Sequence, residues 1–280
     1  MTKALMIQGT SSGSGKTTLV TALCRIFANS GYKVAPFKSQ NMSSYSYKGN
    51  GFEISRAQAV QAIAARAEIN ASMNPILLKP RGSYTSEVFV RGNFYKKMHA
   101  KEYYKKFALG RGLKAAIEAL DWLEKNYDLI IIEGAGSPAE FNLVKYDIAN
   151  MRMAEHSNAP VILISDIDKG GSFASIVGTL ELLEKKHQKL IKGFVINKFR
   201  GDIDILRPSF HKLKQKTGKP VLGTIPLVKF DIPEEDSLST NPQRVIWDKK
   251  FIQYLDKEIE NLSHIVKSSL NMKAIGDLIK

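Results

Sequence analysis

Between the apolar run Ala4–Gln8 and the amphipathic stretch Thr17–Ser30, residues 9–18 read Gly-Thr-Ser-Ser-Gly-Ser-Gly-Lys-Thr-Thr. A glycine-rich turn joining a strand to a helix turns several backbone N–H groups toward one point. The positive end of the following helix is aimed at the same point. A triphosphate suits that place, so Ser12, Gly13, Ser14, Gly15, Lys16, Thr17 and Thr18 are candidate ATP ligands. In this phosphate-binding loop (P-loop), Lys16 can reach the β- and γ-phosphates. The Thr17 hydroxyl can ligate Mg²⁺. Five residues separate Gly9 from Gly15, where the usual spacing has four.

Other short apolar runs fit the same architecture. Lys33–Phe37, Leu129–Ile132, Val161–Ser165, Phe194–Asn197 and Val221–Ile225 are nearly continuous in apolar residues, as strands covered on both faces are. Glu87–Arg91 alternates like a strand. Glu53–Glu68 and Ala100–Asn126 read as helices, the second with an interruption expected at Gly110 and Gly112. Strands alternating with helices predict an α/β protein of the P-loop NTPase kind, a doubly wound, mostly parallel sheet with helices on both faces. Residues 226–246 read as a loop. Beyond it, Trp247, Phe251, Ile252, Leu255, Ile259, Leu262 and Val266 recur at helical spacing. The expected organisation is one P-loop domain over residues 1–240 and a helical tail, 241–280, packing on it.

A metal-holding acid is expected at the end of a later strand. Leu129–Ile132 runs into Glu133-Gly134-Ala135-Gly136, so Glu133 is the candidate Mg²⁺ ligand beside Thr17; the alternative is a plain strand-ending glutamate. A net charge of +14 and a pI near 9.6 favour acidic partners, though a lysine-rich solvated surface accounts for them equally well. The basic residues are dispersed, without zinc-finger spacing or an RNA-binding aromatic signature, so nucleic acid is not an expected partner. No apolar run approaches the roughly 20 residues that span a bilayer, and no membrane partner is expected. The first residues show no charged-then-apolar leader. Cys24 is the single cysteine. Both points make the cytoplasm the expected compartment.

Ten ordered segments carry a resemblance: MIQGTSSGSGKTTLV, VAPFKSQNMS, EISRAQAVQA, MNPILLKP, IIEGAGSPAEFNL, DIANM, VILISDIDKGGSFASIVGTLELL, GFVINKFRGD, TGKPVLGTIP and PEEDS. Through them the chain resembles the ATP-dependent synthetase domain of cobyric acid synthases, within the wider group of cobyrinic acid diamide synthases and dethiobiotin synthetases. The longer P-loop occurs in that group. The resemblance runs from about residue 5 to residue 237. It implies ATP-dependent amidation of carboxylates of a cobyrinic acid derivative through an acyl phosphate. The family's usual enzyme continues into a class I glutaminase domain, which needs a nucleophilic cysteine. Cys24 sits on an apolar stretch and reads as a structural thiol. Ammonia is therefore expected to be free or supplied by a separate glutaminase subunit. Relatives in the group pair, so a homodimer is expected.

The resemblance also implies roles. Lys38 adds a second charge at the transferring phosphoryl, the alternative being a surface lysine. Glu53 is a second metal-holding acid, the alternative being a helix N-terminal glutamate. Asn197 reads adenine, since an amide both donates and accepts, with Pro226 nearby. Asp166, Asp168 and Lys169 follow a buried strand, with Asp166 assigned to catalysis and Lys169 to substrate. Gln40, Asn41, Ser43, Asp147, Asn150 and Arg200 are the other implied substrate contacts. Loop caps and turn formers are the alternative for several of these. Two other functions remain open from the residues. A dethiobiotin synthetase-like ligase would use the same fold, but QNMS and DIDKGG argue against it. A MinD/ParA-type switch ATPase usually carries a second lysine early in its P-loop, where this chain has Thr10, Ser11 and Ser12.

Overall fold

The computed structural model describes residues 2–233 and 245–280. The chain opens with β1 (Lys3–Gly9), α1 (Lys16–Asn29) and β2 (Val34–Phe37). An insertion follows: β3 (Gln40–Met42), β4 (Ser46–Lys48), β5 (Glu53–Ser55), α2 (Arg56–Ala64), β6 (Ile76–Pro80), β7 (Thr85–Val90) and β8 (Asn93–His99). One turn, α3 (Ala100–Glu102), leads into a π-helical segment, Tyr103–Gly112, and then α4 (Leu113–Asn126). The α/β alternation resumes with β9 (Leu129–Glu133), α5 (Met151–His156), β10 (Val161–Asp166), α6 (Ser172–Leu182), α7 (Lys185–Leu190), β11 (Ile191–Phe199), α8 (Ile203–Thr217) and β12 (Val221–Pro226). Two helices end it, α9 (Lys249–Ser269) and α10 (Met272–Leu278).

The main sheet has six strands in the order β12-β11-β10-β1-β9-β2, every neighbouring pair parallel. The middles of its central strands are apolar because both faces are covered. The two-residue side-chain period sorts them. Leu5, Ile7, Ile131 and Ile164 face α1 and α9, packing with Leu19, Leu23, Leu255 and Ile259. Met6, Ile130, Ile132 and Leu163 face the other way, packing with Leu120 and Leu123 of α4 and Ile176 of α6. Burying each such side chain contributes about 1.5–3 kcal/mol, so the alternation fixes the register. In that register Ile7 lies beside Glu133 and Gly9 beside Ile164. The chain leaves β1 toward the β2 edge and later builds out through β10, β11 and β12. The order therefore reverses beside β1, where ligands of open α/β sheets bind.

A second sheet, β3-β6-β7-β8, was not foreseen. Here β3 and β6 are parallel, and β6, β7 and β8 are antiparallel. It has its own core, in which Ile76, Leu78, Val88 and Met98 meet Tyr103 and Phe107. The expected helix Glu53–Glu68 is shorter at both ends: Glu53–Ser55 pairs as a strand with Ser46–Lys48, and α2 stops at Ala64. Ser55 then caps α2, its hydroxyl accepting from the Ala57 N–H at 3.3 Å. Gly110 and Gly112 do not interrupt the helix. They fall in the π-helical segment, which runs on into α4.

The tail helix α9 packs on α1, with Leu255, Ile259, Leu262 and Val266 fully buried. Arg25 of α1, also fully buried, joins the layers. It donates to the carbonyl of Ala64 on α2 and to Glu260 on α9, both at 2.9 Å, and to Asp256. Most of the PEEDS segment and of the expected 226–246 loop lies outside the described residues.

Candidate active site

The phosphate loop leaves β1 at Gly9 and enters α1 at Lys16. Two of its glycines are required by space. A Cβ on Gly9 would stand 2.2 Å from Ser14 Oγ. One on Gly15, whose φ of +102° already favours glycine, would stand 2.0 Å from Asn197 Nδ2. The N-cap of α1 is Gly15, which has no side chain to cap it, so the first N–H groups of the helix face the loop, as an anion requires. Ser14 Oγ is buried with no hydrogen-bond partner among the described residues. An unpaired hydroxyl in such a cradle matches a phosphate oxygen. Lys16 Nζ donates to the carbonyls of Ser11 at 3.0 Å and Gly136 at 2.9 Å. These hold the ammonium over the loop.

Glu133 is fully buried at the end of β9. Its Oε1 accepts from the Thr17 hydroxyl and from Lys38 Nζ, each at 2.8 Å. Its Oε2 accepts from Gln61 Nε2 of α2 at 2.5 Å. Lys38 is 4% exposed, so it is not a surface lysine. Its ammonium is brought inside by the edge strand β2, which pairs with β9 up to Phe37 and Ile132. Hydroxyl and carboxylate oxygens are hard donors suited to Mg²⁺, which keeps several waters and needs few protein ligands. Thr17 and Glu133 fit that ion. Among the described residues no cluster of three acidic, histidine or cysteine side chains gathers. Glu53 is taken up elsewhere, by Lys79 and Ser46. Burial alone would raise its carboxyl pKa, but the hydrogen bonds from Lys79 and Ser46 outweigh it and hold it below the usual range.

On the other side of β1, Asp166 ends β10 beside Asn197 of β11. Asn197 Nδ2 donates to the Ser14 carbonyl at 2.9 Å. Asp166 accepts from Lys198 Nζ at 2.7 Å, and the same ammonium donates to the Gly13 carbonyl at 2.9 Å. Lys198 holds this position with φ +59°, a strained value for a lysine. Gly13, Gly15, Lys16, Thr17, Thr18, Asn197, Lys198 and Pro226 line a cavity of about 610 Å³ whose far wall is apolar, with Leu227, Val228, Phe230 and Ile232. A polar loop facing an apolar slot is what a nucleotide's phosphates and base require.

The implied substrate contacts divide. Gln40, Asp147 and Asn150 line a second cavity, of about 380 Å³, that meets the P-loop at Ser12. Asp147 and Asn150 also build its wall. Asp147 caps the N–H groups of Ala149 and Asn150 at 2.9 and 2.8 Å. Asn150 pairs at both ends with the backbone of Ala135, at 3.0 and 2.9 Å. Asn41 and Ser43 are buried. Asn41 joins β3 to α2 through Ser55 and Gln58, both at 2.8 Å. Ser43 shapes the turn to Tyr45. Lys169 and Arg200 line neither cavity. Arg200 pairs with the exposed Asp168 at 2.9 Å.

Sequence reasoning missed Gln61, Lys198 and Tyr103, whose buried hydroxyl donates to Gln40 Oε1 at 2.6 Å. Gln58 and Gln61 stand three apart in a helix whose other buried residues, Arg56 apart, are alanine and valine. That spacing puts both amides on one face, a signal that was available. Nothing in the sequence marked Lys198 beyond its place after Asn197.

A glycine loop wrapped on a helix N-terminus at the switch point, with a threonine hydroxyl against a strand-borne carboxylate, defines a P-loop nucleotide-binding protein. Residues 5–238 match the family model described as the CobQ/CobB/MinD/ParA nucleotide binding domain, and the chain belongs to that family. It is 54% identical over 246 residues to a probable cobyric acid synthase of Thermococcus kodakarensis, covering 87% of this chain and 50% of the relative. It is 50% identical over 266 residues to a cobyric acid synthase of Caldanaerobacter subterraneus, covering 95% of this chain and 51% of the relative. The chain thus spans about half the length of the curated relatives it matches. Among solved structures, apo McdA of Cyanthece aligns over the whole of both chains with a TM-score of 0.50 at 14% identity, a likeness of fold. No helix among the described residues is long and apolar enough to cross a membrane.

Proposed function

We propose that this chain catalyses ATP-dependent amidation of a side-chain carboxylate of a cobyrinic acid derivative, as an amide synthetase using ammonia. The observation that carries the reading is Glu133, a buried carboxylate held between the Thr17 hydroxyl and the Lys38 ammonium at the mouth of the phosphate loop. The relatives named cobyric acid synthase support the choice of substrate.

A carboxylate is a poor electrophile and must be activated. Its oxygen attacks the γ-phosphorus of ATP, the bond to the β-bridging oxygen breaks, and ADP leaves. Ammonia then attacks the acyl carbon, the bond to phosphate breaks, and phosphate departs as the nitrogen loses a proton. Lys16 and Lys38 place two ammonium groups where charge collects on the transferring phosphoryl. The loop N–H groups and Ser14 Oγ hold the phosphates in line. Mg²⁺ at Thr17 and Glu133 would neutralise the charge of the β- and γ-oxygens. Asn197 and the apolar slot would seat the adenine.

The test incubates the protein with Mg-ATP, ammonium and cobyrinic acid a,c-diamide and follows carboxylate loss by mass spectrometry, with Lys16→Ala alongside. Amidation that requires ATP, ammonium and Lys16 is the expected result. No amidation, with a glutaminase partner and glutamine also failing, overturns the reading.

A further inference from the structure

Buried side chains behind Glu133 form a closed ring of hydrogen bonds. The run of donors begins at Asn41 of β3, whose Nδ2 donates to Ser55 Oγ and to Gln58 Oε1, each at 2.8 Å. Gln58 Nε2 donates to Gln61 Oε1 at 3.2 Å, and Gln61 Nε2 donates to Glu133 Oε2 at 2.5 Å. The return path runs through Asn74. Its Oδ1 accepts from the Ser55 N–H at 3.0 Å, and its Nδ2 donates to the Lys38 carbonyl at 3.0 Å. Lys38 Nζ closes the ring on Glu133 Oε1 at 2.8 Å.

Packing alone does not call for amides here. Asn41, Gln58, Gln61 and Asn74 are each at most 3% exposed. Burying an amide costs free energy that its hydrogen bonds offset, and apolar side chains at 58 and 61 would fill the same helix face without that cost. What the ring fixes is direction. An amide has a donor end and an acceptor end. Asn41 presents Nδ2 to Gln58 Oε1, which leaves Gln58 Nε2 for Gln61 and Gln61 Nε2 for Glu133. A reversed Gln61 would set its oxygen against the carboxylate and its nitrogen against Gln58 Nε2, two buried conflicts. The start of the run is anchored as well, because Ser55 Oγ also accepts from the Ala57 N–H at the head of α2.

The carboxylate at the end of the run is thereby held at both oxygens, Oε2 by Gln61 and Oε1 by Thr17 and Lys38. It cannot turn about its terminal bond without breaking one of these contacts. Mg²⁺ demands near-ideal octahedral geometry. Outer hydrogen bonds that orient a metal-holding side chain commonly contribute about 10–100-fold in metal affinity.

We propose that Gln61 and Gln58 are positioning residues for Mg²⁺-dependent nucleotide binding: Gln61 holds the Glu133 carboxylate still for the ion, and Gln58 aims Gln61. Neither lines the nucleotide cavity, so both act through Glu133. The proposal rests on the reading of Thr17 and Glu133 as the Mg²⁺ ligands and is independent of the acceptor.

The experiment measures by calorimetry the Kd of a non-hydrolysable ATP analogue, with Mg²⁺ and with EDTA. The readout is the gain in affinity that Mg²⁺ confers, independent of turnover. Gln61→Met keeps the side-chain length and removes the amide. It should cut the Mg²⁺ gain by about tenfold and leave the affinity in EDTA at the wild-type value. Gln58→Met should act in the same direction and by less. The double variant should lose no more than Gln61→Met alone, because Gln58 works through Gln61. A side chain that only supports the fold would change both conditions alike. Equal losses with and without Mg²⁺, an unchanged Mg²⁺ gain in Gln61→Met, or additive losses in the double variant overturn the proposal. Should Gln61→Met not fold, Gln58→Met is judged by the same two conditions, and failure of both to fold overturns the proposal, since the amides then serve the fold. Failing variants beside an Mg²⁺-responsive wild type leave the metal reading standing. A wild type that gains nothing from Mg²⁺ overturns that reading together with the proposal.

Discussion

Replacing Lys38 by methionine would test the site most directly, because it takes a cation away from a fully buried carboxylate. At 2.8 Å the pair attracts by about 6 kcal/mol at an effective dielectric constant of ~20. Much of that offsets the cost of dehydrating both ions. Removing one partner exposes the other's cost, about 3–5 kcal/mol. For a chain of this size, at roughly 2–4 °C per kcal/mol, Lys38→Met should lower the Tm by about 6–20 °C. Neutralising both, as Lys38→Met with Glu133→Gln, removes the stranded charge and should recover most of that loss. The assay is thermal unfolding without nucleotide or Mg²⁺, on wild type, both single variants and the double. All three variants should lose ATP-dependent turnover by about 100-fold or more. A double variant no more stable than Lys38→Met, or a Lys38→Met protein that melts with wild type, would refute the claim that the carboxylate depends on this cation.

Gly15→Ala should abolish ATP binding by calorimetry, because its Cβ would meet Asn197 Nδ2 at 2.0 Å in a left-handed backbone; the folded far-UV spectrum should persist. Lys198→Met cuts the link from Asp166 to the Gly13 carbonyl and should raise the KM for ATP by about tenfold, with the worth of a charged hydrogen bond. The pH dependence follows from Glu53, whose carboxyl is held below the usual range. Its folded pKa is depressed, so its contribution to stability is complete above the ordinary glutamate value of about 4.3 and is lost as pH falls below it. Urea unfolding of Glu53→Gln should accordingly show a shallower loss of stability on acidification than wild type.

The main sheet was legible because its strands are buried on both faces and so carry unbroken apolar runs such as Leu129–Ile132. The second sheet was not. Its edge strand β8 has one buried residue in seven, and Lys96 and Lys97 leave it without the apolar signal that marks a strand. The P-loop and Glu133 could be read because glycine spacing and a strand-ending acid are local patterns. Gln61, Lys198 and Tyr103 act across 72, 185 and 63 residues of chain, and no local pattern reports such pairings. Glu53 shows the opposite limit. Its position before a helix is as legible as Glu133, but only the fold shows that Lys79 occupies its carboxylate.

The three donors on Glu133 come from α1, from the end of β2 and from α2, so three separate segments converge on one buried carboxylate. Stability does not explain that convergence. A buried ion pair contributes little net energy, and replacing such a pair with well-packed apolar side chains is often neutral or stabilising by about 1–4 kcal/mol. The sheet around it, with Ile130, Ile131 and Ile132 all fully buried, would readily accept such a substitution. The pair is explained instead by what arrives next to it. A triphosphate brings several negative charges to the loop, and Lys38 and Lys16 already stand there with fixed partners rather than as mobile surface groups. Fixing them in the fold moves the cost of ordering charge from the reaction to folding, and the Arg25 anchor that ties α1 to α2 and α9 keeps two of the three converging segments in place.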